Sequence, residues 1–360
     1  MSSLIKEIKG KIGIIILNWN GLQDTIECVD SVLDQTYQRF KIYLIDNGSQ
    51  NNEAHFLEEM YADNSSIQII KFKKNLGFTG AHNLIFKNFI QKKNFEYIAL
   101  LNNDAVVEPG WLENMVKCAE EEQCDMVSCK MLQYKNKKFV DTLGFTLLNT
   151  GDVVPTYRYE RADNFQERFR NWGPSGGAAL IRISMLEEIG FFDDYFNNGY
   201  EDSEFCVRAT LLGYKCIFEP NAVLYHKGSV SINKIRNYKY SLKFQKNILY
   251  TICKLLPLTV LLLNFPFLLL RNISLLIVGV LTLNFRLSKI IVHSTFSFLV
   301  SDLSEVLVRR RKFHSKYKLI STFKILRLQK LFISFYWTYL KRLFVEGKKG
   351  VVLTKLTGKN

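Results

Sequence analysis

Four short apolar runs, each breaking off into a polar cluster and each followed by a helical stretch, set the narrowest limits on how this chain folds. Lys11–Leu17 closes on Asn18-Trp19-Asn20-Gly21, and Lys41–Ile45 on Asp46-Asn47-Gly48-Ser49. Ile67–Lys71 leads to Asn75-Leu76-Gly77-Phe78-Thr79-Gly80, and Tyr97–Leu101 closes on Asn102-Asn103-Asp104. Apolar, β-branched runs of this kind read as strands buried on both faces. Between them, Asp24–Gln35 spaces Ile26, Val29, Val32 and Leu33 as an amphipathic helix does. Glu53–Tyr61, Ala81–Phe89 and Trp111–Glu122 also read as helices. Strand and helix in alternation predict a parallel sheet with crossover helices. All four polar clusters then fall on one carboxyl edge, where open α/β sheets bind their ligands. Strand ends and helix starts there offer backbone N–H groups to an anion. No GxGxxG follows the first strand and no GxxxxGK[ST] occurs, which disfavours a dinucleotide fold and a P-loop.

Asn102-Asn103-Asp104 has two readings. These residue types favour turns. A carboxylate at a strand end also holds a divalent cation, and the cation in turn holds phosphate oxygens. Past Cys124 the pattern changes to short strands, Asp125–Leu132 and Phe139–Leu148, and the polar stretch Tyr157–Arg170 reads as a mobile loop. Gly176-Gly177 marks either a close approach of ligand or backbone, or a bulge before the next strand. From about Glu201, the residues Phe205, Val207, Ala209, Leu211 and Leu212 suit a helix that stops at Gly213. Glu201, Asp202 and Glu204 sit at its start, where the helix dipole stabilises each acid by ~0.3–1 kcal/mol. An ionised carboxylate held there is equally suited to deprotonate a hydroxyl. Arg208, one turn after Glu204, reads as its structural partner. His226 follows a further strand, Ala222–Tyr225, and is read as structural or as a ligand.

The length of 360 residues suggests about two domains. The seven cysteines are scattered without a zinc-type set and read as reduced thiols in a cytosol-facing protein. The opening MSSLIKEIKGKIGIIIL offers no cleavage site, so no signal peptide is expected. Charge divides the chain. Residues 1–226 carry 23 Lys+Arg against 31 Asp+Glu, and residues 227–360 carry 25 against 3. Such asymmetry predicts different partners for the two parts. In the basic part, Leu255–Leu270 is apolar apart from Thr259 and Asn264, and is interrupted by Pro257 and Pro266. Arg271 precedes a second apolar run, Ile273–Leu283. One span needs ~20 apolar residues, but it would place Arg271 near its middle at a cost. Two half-length segments lying in the interface fit better. Arg309-Arg310-Arg311-Lys312, Lys316, Lys318, Lys324, Arg327 and Lys330, interleaved with apolar side chains, predict an anionic membrane surface as partner. A helix docked on the catalytic part is the alternative, and the apolar segments disfavour nucleic acid.

Six segments in order carry a resemblance: NWNG (Asn18–Gly21), IDNGSQN (Ile45–Asn51), NLGFTGAHN (Asn75–Asn83), LLNNDAVVEPGW (Leu100–Trp111), GPSGGAALIR (Gly173–Arg182) and GYEDSEFCVR (Gly199–Arg208). Together they resemble the family 2 inverting glycosyltransferases, most nearly the rhamnosyltransferase and galactofuranosyltransferase-like branch, over roughly residues 10–230. The resemblance implies a GT-A fold, a nucleotide-binding Rossmann-like mixed sheet with helices on both faces. It would fill residues 1–230, with a nucleotide-sugar half at about 10–125 and an acceptor half at 126–230. Residues 231–360 would form a basic, apolar, helical membrane-associating tail.

The resemblance also implies roles. Asp46 would bind the base of the nucleotide, and Asn18, Asn75, Gly77 and Asn103 would line the donor pocket. Gly176 and Gly177 would shape the acceptor side. Asn102-Asn103-Asp104 stands in place of the family's DxD motif, with Asn102 as a departure that removes one negative charge. Asp104 and His226 would be ligands of Mg²⁺ or Mn²⁺, and Asp202 the general base. The implied activity transfers a sugar, rhamnose foremost, from a dTDP- or UDP-sugar to a lipid-linked or polysaccharide acceptor in surface-glycan synthesis, with inversion. The place implied is the cytoplasmic face of the cell membrane, peripheral or monotopic through the tail. Two alternatives stay open: an inactive sugar-nucleotide-binding or scaffold protein, and a processive polysaccharide synthase, against which the absence of a QxxRW-type motif speaks.

Overall fold

The computed structural model describes residues 11–91, 94–228 and 237–335. The first ten residues, and residues 231–236 and 336–360 of the expected tail, lie outside that description. The chain divides into two compact units. The first comprises residues 1–145, 155–210 and 214–231; the second comprises 146–154, 211–213 and 232–360.

The first unit opens with β1 (Ile12–Asn18), α1 (Leu22–Leu33), β2 (Phe40–Asp46), α2 (Glu53–Met60), β3 (Ile67–Lys71), α3 (Gly77–Ile85) and β4 (Tyr97–Asn102). Next come β5 (Ala105–Val107), α4 (Trp111–Glu121), β6 (Met126–Gln133) and β7 (Asn136–Thr142). The hairpin strands β8 (Phe145–Leu147) and β9 (Val153–Pro155), most of whose residues belong to the second unit, form a small sheet of their own. The series closes with β10 (Phe169–Asn171), β11 (Ala178–Arg182), α5 (Ile183–Ile189), α6 (Glu201–Leu211) and β12 (Cys216–His226).

The main sheet runs β10-β12-β6-β11-β4-β1-β2-β3, with β5 on β12 and β7 on β6. β4, β1, β2 and β3 are parallel, while β11 enters antiparallel between β4 and β6. The sheet is therefore mixed. Ile14 and Ile16 of β1, Leu44 of β2 and Leu101 of β4 pack with Val29 and Val32 of α1 and Met115 and Val116 of α4 in one core. Each such side chain, taken fully out of water, contributes about 1.5–3 kcal/mol. The opposite face is closed by Tyr43 against the rings of Phe89 and Phe95. With both faces covered, the parallel strands need the unbroken apolar runs seen in the sequence.

Register fixes the functional edge. Asn18 of β1 pairs with Asp46 of β2, and Leu17 with Asn102 of β4. The polar residues that end three strands thus stand side by side. The stretch Tyr157–Arg170, expected to be mobile, is instead tied down. Arg158 bonds the Asp141 carboxylate, Arg168 Nε donates to Glu219 Oε2 at 2.6 Å, and Phe169–Asn171 joins the sheet. Its charges satisfy buried or half-buried partners, which spacing along the chain does not reveal.

The second unit is helical: α7 (Tyr238–Leu255), α8 (Leu258–Leu281), α9 (Phe285–Ser297), α10 (Leu303–Lys316) and α11 (Thr322–Leu328). Arg310 Nη1 donates to the carbonyls of Cys253 and Leu256 at 2.7 Å each, closing the end of α7 with a cation where the helix dipole is negative. The two half-length segments expected at 255–283 are in fact one helix of 24 residues. Pro266 lies inside it, forfeiting a backbone hydrogen bond without ending it. Arg271, the residue that argued for a break, is 6% exposed and turned inward. Its Nη2 meets Asp152 Oδ1 at 2.8 Å, and Asp152 belongs to the segment 146–154 of the same unit. An acid more than a hundred residues away supplies the countercharge, so the arginine does not force the helix to stop.

α8 buries a mixed stripe that includes its polar residues and exposes an apolar face. Val260, Asn264, Arg271, Leu275 and Gly279 are its buried stripe. Leu258, Leu262, Phe265, Leu269, Ile273 and Ile277 are exposed. By length and composition, Leu258–Leu281 and Phe285–Lys316 would each suffice to cross a membrane.

Candidate active site

The first wall is built where β1 and β2 end. Asn18 is fully buried, and its Nδ2 donates to Asp46 Oδ1 at 3.0 Å, Glu53 Oε2 at 3.0 Å and Ser49 Oγ at 3.2 Å. Its Oδ1 accepts from Thr25 Oγ1 at 2.8 Å, and Asn103 Nδ2 donates to that same hydroxyl at 2.9 Å. One amide therefore joins Asp46 to the turn after β4. The other Asp46 oxygen accepts from the Ser49 backbone N–H at 3.1 Å, so both carboxylate oxygens are oriented.

The second wall is the start of α3. Asn75 is exposed, and its Oδ1 accepts from Gly77 N at 2.7 Å and from Asn47 Nδ2 at 3.1 Å. Gly77 has φ +72°, in the left-handed region, and a Cβ there would overlap the Asn197 side chain. The N–H groups of Phe78 and Thr79 are taken by Asn198 Oδ1 at 2.8 Å and Asn197 O at 3.3 Å. The start of α3 was expected to offer N–H groups to an anion. That of Gly77 is instead taken by Asn75, and those of Phe78 and Thr79 by the loop that leads into α6, which is thereby bolted to α3. Asn83 adds a two-way bond with the Phe192 backbone at 2.9 and 3.1 Å. Behind this wall the Phe78 ring stacks on His82 at 4.0 Å, and burial pushes the imidazole down to about 4, so it stays neutral near neutral pH.

The third part carries Asp202. Its Oδ2 accepts from Gly176 N at 3.0 Å and its Oδ1 from Ser203 N at 2.7 Å. Burial raises its pKa, and the hydrogen bonds from Gly176 and Ser203 oppose that rise. On the other side of the same dipeptide, Gly177 O accepts from Asn102 N at 2.9 Å. Gly176-Gly177 thus spans from Asp202 to the Asn102-Asn103-Asp104 turn. Glu204 is fully buried, and Arg208 grips both of its oxygens at 3.1–3.2 Å while donating to Ile189 O at 2.8 Å. This pair fastens α6 to the end of α5.

The fourth part is the pairing of β5 with β12, which sets His226 opposite Ala105, next to Asp104. His226 Nε2 lies 3.2 Å from Asp104 Oδ1 but out of line for a hydrogen bond. Its Nδ1 is 2.8 Å from Asp141 Oδ2, and Arg158 Nε donates to Asp141 Oδ1 at 3.0 Å. Burial disfavours a charged ring, yet the carboxylates of Asp104 and Asp141 on its two sides push the histidine up to about 10 while no cation is bound. Burial would raise Asp141, but His226 and Arg158 outweigh it and hold this carboxyl well below the usual range.

Among the described residues no three His, Cys, Asp or Glu side chains form a complete cation cage. A buried imidazole nitrogen without a hydrogen-bond partner beside a carboxylate is nonetheless a two-ligand start, and it fits an ion whose other positions are filled by phosphate oxygens and water. Each residue given a donor, metal, acceptor or base role in the sequence lies in one of these four parts. Thr25, Asn47, Glu53, Asp141 and Arg158 were missed. Thr25, Asn47 and Glu53 flank the strand ends and were readable as polar residues one turn away. Asp141 and Arg158 carry no sequence signal, because nothing along the chain shows what a carboxylate on a short strand faces.

Residues 13–190 match the family described as Glycosyl transferase family 2. Glycosyltransferase GlyG of Streptococcus pneumoniae is 23% identical over 225 residues, covering 61% of this chain and 72% of that protein. The O-antigen biosynthesis protein RfbC of Myxococcus xanthus is 26% identical over 212 residues, covering 56% of this chain but 16% of its own length. A crystal structure of GalNAc-T7 with UDP, GalNAc and Mn²⁺ superposes with a TM-score of 0.54 at 16% identity, over 68% of this chain and 47% of that one. The likeness is one of fold, a GT-A-like mixed α/β architecture.

Proposed function

We propose that the protein is an inverting glycosyltransferase that moves a sugar from a nucleotide-sugar donor to an acceptor hydroxyl in glycan synthesis. The observation that carries this reading is the Gly176-Gly177 dipeptide, bonded to Asp202 on one side and to the turn after β4 on the other. Asp202 takes the proton from the acceptor hydroxyl. The oxygen attacks the anomeric carbon from the face opposite the nucleoside diphosphate, the glycosidic bond forms as the bond to the diphosphate breaks, and the configuration inverts. Asp46, with Asn18 and Ser49 orienting it, binds the base, and Asn75, Gly77 and Asn103 line the donor. Asp104 and His226 would hold Mg²⁺ or Mn²⁺, which neutralises charge on the departing diphosphate. UDP and Mn²⁺ in GalNAc-T7 support that choice of donor class and metal.

The finer assignments rest on separate supports. The family motifs point to rhamnose as the first sugar to test, from a dTDP- or UDP-linked donor. The exposed apolar face of α8 supports a lipid contact, since an apolar face this long is not left in water without a partner. With the basic residues of α10 and α11, it favours attachment to the cytoplasmic face of a membrane and a lipid-linked acceptor.

The decisive experiment incubates the purified chain with a panel of nucleotide-sugars and Mn²⁺ and follows release of nucleoside diphosphate. Release with one donor, lost in Asp104→Ala and Asp202→Asn, supports the enzyme reading. Nucleotide binding with no turnover of any donor would favour an inactive binding protein, the reading that Asn102 keeps open.

A further inference from the structure

We infer that Asp141, braced by Arg158, is a positioning residue that presents His226 Nε2 to the cation beside Asp104. The inference rests on the metal reading of Asp104 and His226. Asp141 sits on β7, away from the motifs, and its Oδ2 lies 2.8 Å from His226 Nδ1. Its rotation is blocked. Arg158 Nε donates both to Asp141 Oδ1 at 3.0 Å and to the Asp141 carbonyl at 3.1 Å, and Arg158 Nη2 also bonds Oδ1. An ionised carboxylate only accepts hydrogen bonds, so the proton of a neutral imidazole must sit on Nδ1. In that form Nε2 presents a lone pair, so a cation would compete with a proton for it; the atom is buried, 3.2 Å from Asp104 Oδ1, and has no well-aligned hydrogen-bond partner among the described residues.

Two lone-pair-bearing atoms at that distance repel unless a positive centre lies between them. A proton is one such centre and a divalent ion is another. The spacing suits the ion: two ligands ~2.1 Å from one centre at a right angle lie ~3.0 Å apart. A histidine that donates its second N–H to a carboxylate is also oriented and made a better donor to a metal. A purely structural network would brace β7 against β12 and have no influence on metal affinity.

The test measures binding of Mn²⁺ alone, from the electron paramagnetic resonance signal of the free ion, on the full chain. Asp141→Asn should weaken Mn²⁺ binding by ~10–100-fold, and His226→Gln by at least as much, with circular dichroism unchanged. Should Asp141→Asn fail to fold, Arg158→Met carries the test. It leaves the carboxylate in place but free to turn, and a several-fold weakening supports the inference. A folded variant, Asp141→Asn or else Arg158→Met, that binds Mn²⁺ as tightly as wild type would overturn it. Absence of Mn²⁺ binding by the wild type, with or without added UDP, would overturn the metal reading and this inference together.

Discussion

Replacing Asp202 by Asn changes one atom in the site and should remove its base. The carboxylate accepts Gly176 N–H on one oxygen and Ser203 N–H on the other, at 3.0 and 2.7 Å. An amide has one oxygen, so one of these N–H groups must face an NH₂. Leaving it unmet costs roughly 1–3 kcal/mol, partly offset because a charge is no longer buried. Melting should therefore fall by only a few degrees, at about 2–4 °C per kcal/mol for a unit of this size. Turnover should fall far more, by ~10²–10⁴, the usual contribution of a positioned base. The assay is release of nucleoside diphosphate with donor and acceptor present, alongside calorimetric binding of UDP, which should not change. The wild-type pH profile gives a second check. Asp202 works ionised and burial raises its pKa. Activity should thus be full above that raised value and fall as pH drops through it, sooner than an ordinary aspartate would allow. Unchanged turnover in Asp202→Asn would refute the assignment of the base and, with it, the direct displacement.

Other perturbations test the parts around it. Arg271→Leu strands Asp152 in the second unit and should destabilise it by ~3–5 kcal/mol, while the double change with Asp152→Leu restores most of the loss; chemical denaturation measures both. Gly77→Ala forces a left-handed alanine at ~1–2 kcal/mol and pushes on Asn197, so proteolysis in the 193–200 loop should speed up. Leu262→Glu with Phe265→Glu should abolish flotation with vesicles containing phosphatidylglycerol; unchanged flotation would remove the lipid reading of α8.

The parallel half of the sheet was legible because its information is local. Runs such as Ile12–Leu17 and Tyr97–Leu101 state both strand and burial, and the polar residues that follow them mark the edge. That Asn18, Asp46 and Asn102 stand abreast follows once the runs are laid parallel. The family motifs, met in order, agree with the family match over residues 13–190. What stayed hidden depends on distant partners. Arg271 looked like a break because Asp152 could not be foreseen beside it. Asp141 looked like one residue of a strand because its partner His226 arrives from 85 positions later. The start of α3 looked open because Asn198 and Asn197, which accept from Phe78 and Thr79, lie about 120 positions further along the chain.

The dipeptide between Asp202 and Asn102 has a consequence for how substrate preference could change. Its hydrogen bonds to both sides are made by backbone atoms, and a Cβ on Gly176 would already lie 3.1 Å from Asp202 Cβ. On the glycine side the separation of base and turn is therefore set by the backbone, with a single planar peptide unit of ~3.8 Å between the two Cα atoms, and the one rotamer involved is that of Asp202. Specificity can drift through the loop tips around it, but one inserted or deleted residue between Gly173 and Ala178 would throw the two halves of the reaction out of alignment at once.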